Sequence, residues 1–186
     1  ALMGVEEQPI DVVVSGINPN ANIGHDVTYS GTVTAAMEAA IGGVYGVAVS
    51  LDAPEFFSGI LDYTTAAIVA RQVTATLFRH DLPRNILLNV NVPYLLLDDL
   101  KGYRVSRQGL RIYRDELVRR EDPRGRPYYW IGGEAPTGVP DEGTDFGDLK
   151  AGFVSITPLH LDLTAHDQVE RLNRWDWTGK GQPGQD

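Results

Sequence analysis

The stretch from Ile10 to Leu51 constrains this chain more than any other: an apolar run, a long glycine-rich loop, an amphipathic segment and a second apolar run, in that order. IDVVVS, from Ile10 to Ser15, is β-branched and apolar, the pattern of a strand buried on both faces. Val33, Ala36, Met37, Ala40, Ile41 and Val44 recur at helical spacing and predict a helix from about Gly31 to Ala40, with Ser30 at its N-cap and Gly42-Gly43 at its end. Val47 to Leu51 is the next strand. Strand, loop, helix and strand in succession predict a right-handed parallel crossover. Thr64 to His80 supplies a second helix, with Ala67, Ala70, Val73, Leu77 and Phe78 on one face, and Ile86 to Val92 a further strand stopped by Pro93. The fold class is α/β.

Beyond Pro93 the texture changes. Tyr103 to Gln108, Arg111 to Val118 and Pro127 to Ile131 read as β segments, the last two joined by the turn EDPRGRP, giving a hairpin over about 103–132. Eight arginines and no lysine lie between Arg104 and Arg126. Together with Tyr128, Tyr129 and Trp130 they read as an interface or exposed hairpin, because aromatics and Arg are enriched where subunits meet. Anion binding and an aromatic edge strand packed on its own domain are the alternatives. Gly132 to Asp148 reads as a loop, Phe153 to Thr157 as a strand and Ala165 to Trp175 as a terminal helix. The opening ALMGVEEQPI reads as a helix end and a loop, and the segment 173–186 as a disordered tail. No repeat or linker divides the 186 residues, so a single domain over 1–172 is expected.

Charge and cysteine content exclude several functions. With 16 Lys+Arg against 25 Asp+Glu, a net charge of −9 disfavours binding a nucleic-acid polymer through counterion release. A phosphorylated small molecule would also be repelled unless a metal ion or a helix N-terminus offsets the charge locally. No apolar run reaches the roughly 18 residues of a membrane span, so no membrane partner is expected. The absence of cysteine removes disulfides, thiolate metal sites and a cysteine nucleophile, and fits a cytoplasmic protein.

Chemistry concentrates in the sixteen residues GINPNANIGHDVTYSG that follow the first strand. Ligands of open α/β sheets bind where such loops lead from the carboxyl ends of strands into helices. Asn18, Asn20 and Asn22 offer amide oxygens, and Gly16, Gly24 and Gly31 let backbone approach a ligand. Asn18, directly after the strand, is best placed to give its amide oxygen to a hard cation. Tyr29-Ser30-Gly31-Thr32 opens the helix, where free amide hydrogens, hydroxyls and the positive end of the dipole receive anions. The plainer reading makes Asn20 and Asn22 turn residues and Ser30 only a cap. The glycine spacing matches neither common nucleotide fingerprint.

The run VSGINPNANIGHDVTYSGTV, from Val14 to Val33, resembles the signature of the SurE family of stationary-phase survival proteins, divalent-metal-dependent phosphatases of nucleoside monophosphates. Leu88 to Pro93 (LNVNVP), Asp122 to Gly133 (DPRGRPYYWIGG), Gly143-Thr144-Asp145 and Gly152 to Leu163 (GFVSITPLHLDL), running on to Thr164-Ala165-His166, keep the family's order, so the resemblance covers about Asp11 to Leu172. It implies a Rossmann-like three-layer sandwich with a mostly parallel sheet. It also implies that the hairpin and the C-terminal helix serve a homodimer or homotetramer. The family's metal-binding asparagine falls on Asn18, its second asparagine, beside the substrate, on Asn22, and its phosphate-facing residues on Ser30, Gly31 and Thr32. Asp162 and His166 match a segment near the C-terminal arm and are expected to hydrogen-bond at its hinge.

The departure is at the front. Members begin with a strand, two adjacent aspartates and, a little later, a serine, which with the asparagine hold the metal. This chain begins beyond them, so its catalytic acids are not identified. Asp98-Asp99, its only adjacent aspartate pair, lies in a leucine-rich loop past Pro93 and reads as a solvated acidic turn. His25, His80 and His160 form no ligand pair at helical spacing. The expectation is therefore the larger, C-terminal part of a nucleotidase that uses magnesium or manganese, the alternative being a non-catalytic fragment that keeps assembly or ligand binding.

Overall fold

The computed structural model describes residues 9–55 and 57–178; the opening segment 1–8 and the last part of the expected tail, 179–186, lie outside the described residues. Three strands carry the first half of the chain: β1 (Val12–Asn18), β2 (Tyr45–Asp52) and β3 (Ile86–Pro93), connected through α1 (Gly31–Ile41) and α2 (Thr64–Leu77). β4 (Tyr103–Val105) and the long pair β5 (Arg111–Glu121) and β6 (Pro127–Gly138) follow. α3 (Asp145–Lys150), β7 (Val154–His160) and α4 (His166–Leu172) complete the described chain.

The main sheet has the order β1-β2-β3-β7-β4. β1, β2 and β3 are mutually parallel, β7 runs antiparallel to β3, and β4 is parallel to β7. Three of the four pairings are thus parallel, the mostly parallel α/β sheet that the buried apolar runs imply.

Side chains alternate across these strands, and the two faces take different partners. Tyr45, Val47, Val49, Leu51, Val90, Val92 and Val154 pack with Ala66, Val69, Val73 and Leu77 of α2. Ala48, Leu87 and Leu159, on the opposite face, pack with Val33 and Ala36 of α1. α1 lies close: a Cβ on Gly46 would come within 2.2 Å of the Ala36 carbonyl oxygen, so only glycine lets helix and strand meet there. The two crossovers step the same way across the sheet, yet α1 covers one face and α2 the other. They therefore have opposite hand, and one departs from the right-handed rule behind the sequence expectation.

β5 and β6 pair only with each other, as an arm whose Leu117, Tyr129, Trp130 and Ile131 are exposed. Its turn is closed by the Asp122 carboxylate, which accepts from the Arg124 and Arg126 amides at 2.8 and 2.9 Å. β6 continues to Gly138 and α3 begins at Asp145, where the sequence was read as one loop. A six-residue helix is too short to display a helical period; here Thr144 caps it, its Oγ1 accepting from the Gly147 amide at 3.0 Å. α4 is likewise shorter than expected, and none of its residues is buried. At its approach His166 Nε2 lies 2.7 Å from Asp162 Oδ2, the hydrogen bond expected at the hinge, and the Thr164 amide donates to Asp162 Oδ1 at 2.8 Å. The Thr164 bonds first, then His166, hold the Asp162 carboxyl at about 2, below the ordinary 3.8. Trp177 Nε1 donates to the Leu172 carbonyl at 2.9 Å, beyond the helix end. Among the described residues no helix is long and apolar enough to cross a membrane.

Candidate functional site

The loop from β1 to α1 crosses the carboxyl ends of β2 and β3, and the strands beneath it are polar where it passes. Ser50, Asn89 and Asn91 are wholly buried on the face shared with α1. They converge on Asn22. Asn91 Oδ1 accepts from the Asn22 amide at 2.8 Å, and Asn91 Nδ2 donates to the Asn22 carbonyl at 3.0 Å. Asn89 Nδ2 donates to that carbonyl at 2.8 Å, and Asn22 Nδ2 donates to Ser50 Oγ at 2.7 Å. Asn22 is thus a buried anchor of the loop. Asn18 ends β1 and donates its Nδ2 to the Asn20 carbonyl, and among the described residues its Oδ1 has no donor.

Ser30 caps α1: its Oγ accepts from the Val33 amide at 3.1 Å, and its carbonyl from the Thr34 amide at 2.9 Å. Among the described residues the amides of Gly31 and Thr32 have no partner, so the helix start presents two N–H groups and the positive end of an eleven-residue dipole. A Cβ on Gly31 would meet nothing within 4 Å, so packing does not require glycine there.

Asp145 ties this loop to the second half of the chain. Its Oδ2 accepts from the Gly24 amide at 2.7 Å, and its Oδ1 from the Gly109 amide at 2.7 Å and the Phe146 amide at 2.8 Å. Gly24 has φ +53°, and a Cβ there would come within 2.5 Å of the Gly109 carbonyl oxygen. Burial pushes the Asp145 carboxyl up, although those three amides and Arg111 oppose the shift. Asp26 is also raised by burial, against the pull of Arg111. Arg111 Nε lies 3.2 Å from Asp26 Oδ2 as an ion pair without hydrogen-bond alignment, and the Tyr113 hydroxyl donates to Asp26 Oδ1. Deeper, burial also works against the Asp148 carboxylate, but bonds from Ser106 Oγ at 2.7 Å and Arg104 Nη1 at 2.9 Å outweigh it and hold its pKa below the ordinary value.

These elements enclose a cavity of about 920 Å³ whose wall includes Asn20, Asn22, Asp26, Ser30, Arg111 and Lys150. The structure brings Asn22 and Ser30 to one cavity. Asn18, Gly31 and Thr32 are not part of its wall, though Gly31 and Thr32 directly follow Ser30 on the helix. The base of the arginine-rich hairpin contributes Arg111 and Tyr113, which sequence reading had assigned only to an interface or a general anion site. Asp145, Asn89, Asn91 and Ser50 had no assigned role. The available signal was the pair of asparagines two apart in the otherwise apolar run ILLNVNV.

The residues present do not make a complete metal site. Among the described residues no three His, Cys, Asp or Glu side chains converge. Asn18 offers one neutral oxygen, whereas a hard divalent ion takes about six ligands, mostly oxygens. Asp98 and Asp99 lie exposed in a short turn, as the sequence implied.

Fold and site together define an α/β protein whose first helix starts, with two unpartnered amides among the described residues, at the carboxyl edge of its parallel strands. Residues 1–115 match the family model described as Survival protein SurE. The 5'-nucleotidase SurE of Herpetosiphon aurantiacus is 53% identical over 177 residues, covering 95% of this chain and 69% of the relative. The 5'-nucleotidase SurE of Chloroflexus aggregans is 47% identical with the same coverage. The crystal structure of the SurE protein from Aquifex aeolicus superposes with a TM-score of 0.74 at 37% identity, over 91% of this chain and 66% of that one. The chain belongs to the SurE family. It spans about two thirds of the length of these relatives.

Proposed function

We propose that the protein hydrolyses nucleoside monophosphates as a 5'/3'-nucleotidase, receiving the phosphate at the start of α1. The observation that carries this reading is the pair of unpartnered Gly31 and Thr32 amides beside Ser30, at the edge of a cavity within the usual range for ligand pockets. The name 5'-nucleotidase, borne by relatives at about half identity, supplies the substrate class. In this reading the helix end and the Ser30 hydroxyl steady the charge on the phosphoryl oxygens, locally reversing a chain charge of −9. Asn22 forms the adjoining wall. The expected divalent ion, magnesium or manganese, enters only through Asn18 as one of its ligands, and a cytoplasmic setting accompanies the reading.

The test is phosphate release from nucleoside monophosphates by the full chain, with either metal and with a chelator, beside a titration with inorganic phosphate. Metal-dependent release supports the proposal. Neither release nor phosphate uptake sinks it, and uptake without release favours the second reading, a binding and assembly protein. That reading draws on the exposed apolar residues of the hairpin and of the C-terminal arm, where Val169, Leu172, Trp175 and Trp177 are solvent-facing. It expects a homodimer or homotetramer. Light scattering that gives a monomer at micromolar concentration removes it.

A further inference from the structure

We propose that Asn91 is a positioning residue for the phosphate-receiving loop, an inference that rests on the function proposed above. Its amide holds both main-chain polar groups of Asn22, accepting from the N–H at 2.8 Å and donating to the C=O at 3.0 Å. The two bonds fix the orientation of the side chain, because turning the amide over would set donor against donor and acceptor against acceptor. An asparagine in this arrangement imitates a neighbouring strand. It continues the ladder of β3 onto a segment that has left the sheet, and Asn89 Nδ2 reinforces the same carbonyl at 2.8 Å.

The position of Asn22 matters because of what flanks it. Asn18 lies four residues before it and the Ser30 cap eight residues after. Between Asn18 and α1 the loop is tied to the sheet at Asn22 and to α3 by the Gly24 bond to Asp145. Asn91 is wholly buried and is not part of the cavity wall, so it acts through Asn22 and not on a ligand. Freed from Asn91, the segment keeps its sequence but loses the fixed path that delivers Ser30, Gly31 and Thr32 to one side of the cavity. Burial makes the clamp effective: an amide released into the interior has no water to replace its partner.

The experiment compares the full 186-residue chain with Asn91→Leu, which keeps the branched shape and removes both bonds although it is bulkier, and with Asn91→Ser, which is smaller and cannot span both Asn22 atoms, in case the first does not fold. Thr157→Val is the control: Thr157 is buried on the paired strand opposite Asn89, and its hydroxyl has no hydrogen-bond partner among the described residues. Amide hydrogen exchange and inorganic-phosphate affinity are read well below the unfolding temperature. Expected for the Asn91 variants is faster exchange confined to about residues 19–24, with phosphate affinity about tenfold weaker, the size set by losing two modest hydrogen bonds. The control should match the unaltered chain in both. Exchange that rises equally throughout the sheet makes Asn91 an ordinary core residue and overturns the proposal. Unchanged phosphate affinity with a loosened segment overturns it as well. If the unaltered chain takes up no phosphate, the functional reading fails, and exchange alone decides whether Asn91 holds the segment.

Discussion

The two faces of one sheet are built from alternate residues of the same strands, and they do different work. Under α2, β2 and β3 present Val47, Val49, Leu51, Val90 and Val92, whose value lies in area removed from water. On the other face the same strands begin apolar beneath α1, with Ala48 and Leu87. They turn polar toward their carboxyl ends with Ser50, Asn89 and Asn91. The first face tolerates approximate complementarity, because hydrophobic burial has no direction. The second is specified by individual bonds to Asn22, because a buried amide released from its partner costs more than it returned when paired, although Asn89 Oδ1 and the Thr157 hydroxyl have no partner among the described residues. The contrast teaches that this sheet separates stability from positioning by parity along the strand.

Substitutions on each face should sharpen that division. The largest effect is expected from Leu51→Ala, 1% exposed under α2, which should cost about 2–5 kcal/mol through lost transfer energy and a cavity. Urea denaturation should show a lower midpoint with an unchanged slope, and phosphate affinity below the transition should not move. Ser30→Ala removes the cap of α1 and should cost about 1 kcal/mol. Unlike Leu51→Ala, it should also weaken phosphate uptake; equal uptake by both variants breaks the comparison.

A smaller effect is a slope with pH. Asp26 and Asp145 have carboxyls raised by burial, so the folded chain holds their protons more tightly than the unfolded chain does. Their contribution to stability is complete below the ordinary value of 3.8 and is lost as pH rises through their elevated values. Asp148 and Asp162 are lowered, and theirs is present above 3.8 and lost as pH falls below it. Asp145→Asn should therefore remove part of the decline in unfolding midpoint on the alkaline side of 3.8. A denaturation series from pH 3 to 7 that shows the same decline in both proteins contradicts the assignment.

Much of this architecture was legible in the chain. The continuous run VAVSL identifies the buried strand β2, and the apolar spacing of α1 and α2 identifies helices. The run VVVS predicts burial on both faces, but β1 is the edge of the described sheet, none of its residues is buried and Val14 is 45% exposed, because one side of an edge strand has no neighbour. In α2 the buried face is Ala66, Val69, Val73 and Leu77, and the expected Ala67 and Phe78 are exposed. The loop after β1 announced itself through length and composition, and Ser30 through its place before an apolar period. Asp145 could not be seen in this way. It lies 121 residues from Gly24 and 36 from Gly109, and nothing local distinguishes a carboxylate that gathers two distant amides from one that caps a short helix. The same holds for Arg111, which sits among seven other arginines and is singled out only by the ion pair with Asp26.

The sequence by itself determined the α/β class, the order of strands and helices through β3, the capped start of α1 and the family, since these rest on local periods and on one long motif. The tertiary structure decided the handedness contrast of the two crossovers, the antiparallel insertion of β7 beside β3, and the role of Asn22. The family resemblance implies Asn22 beside the substrate. Packing adds that its main chain is gripped by Asn91 and its amide nitrogen by Ser50. The physical reason is distance along the chain. A period or a cap is a relation among neighbours, whereas a buried hydrogen bond across 69 residues exists only once the strands have chosen their partners.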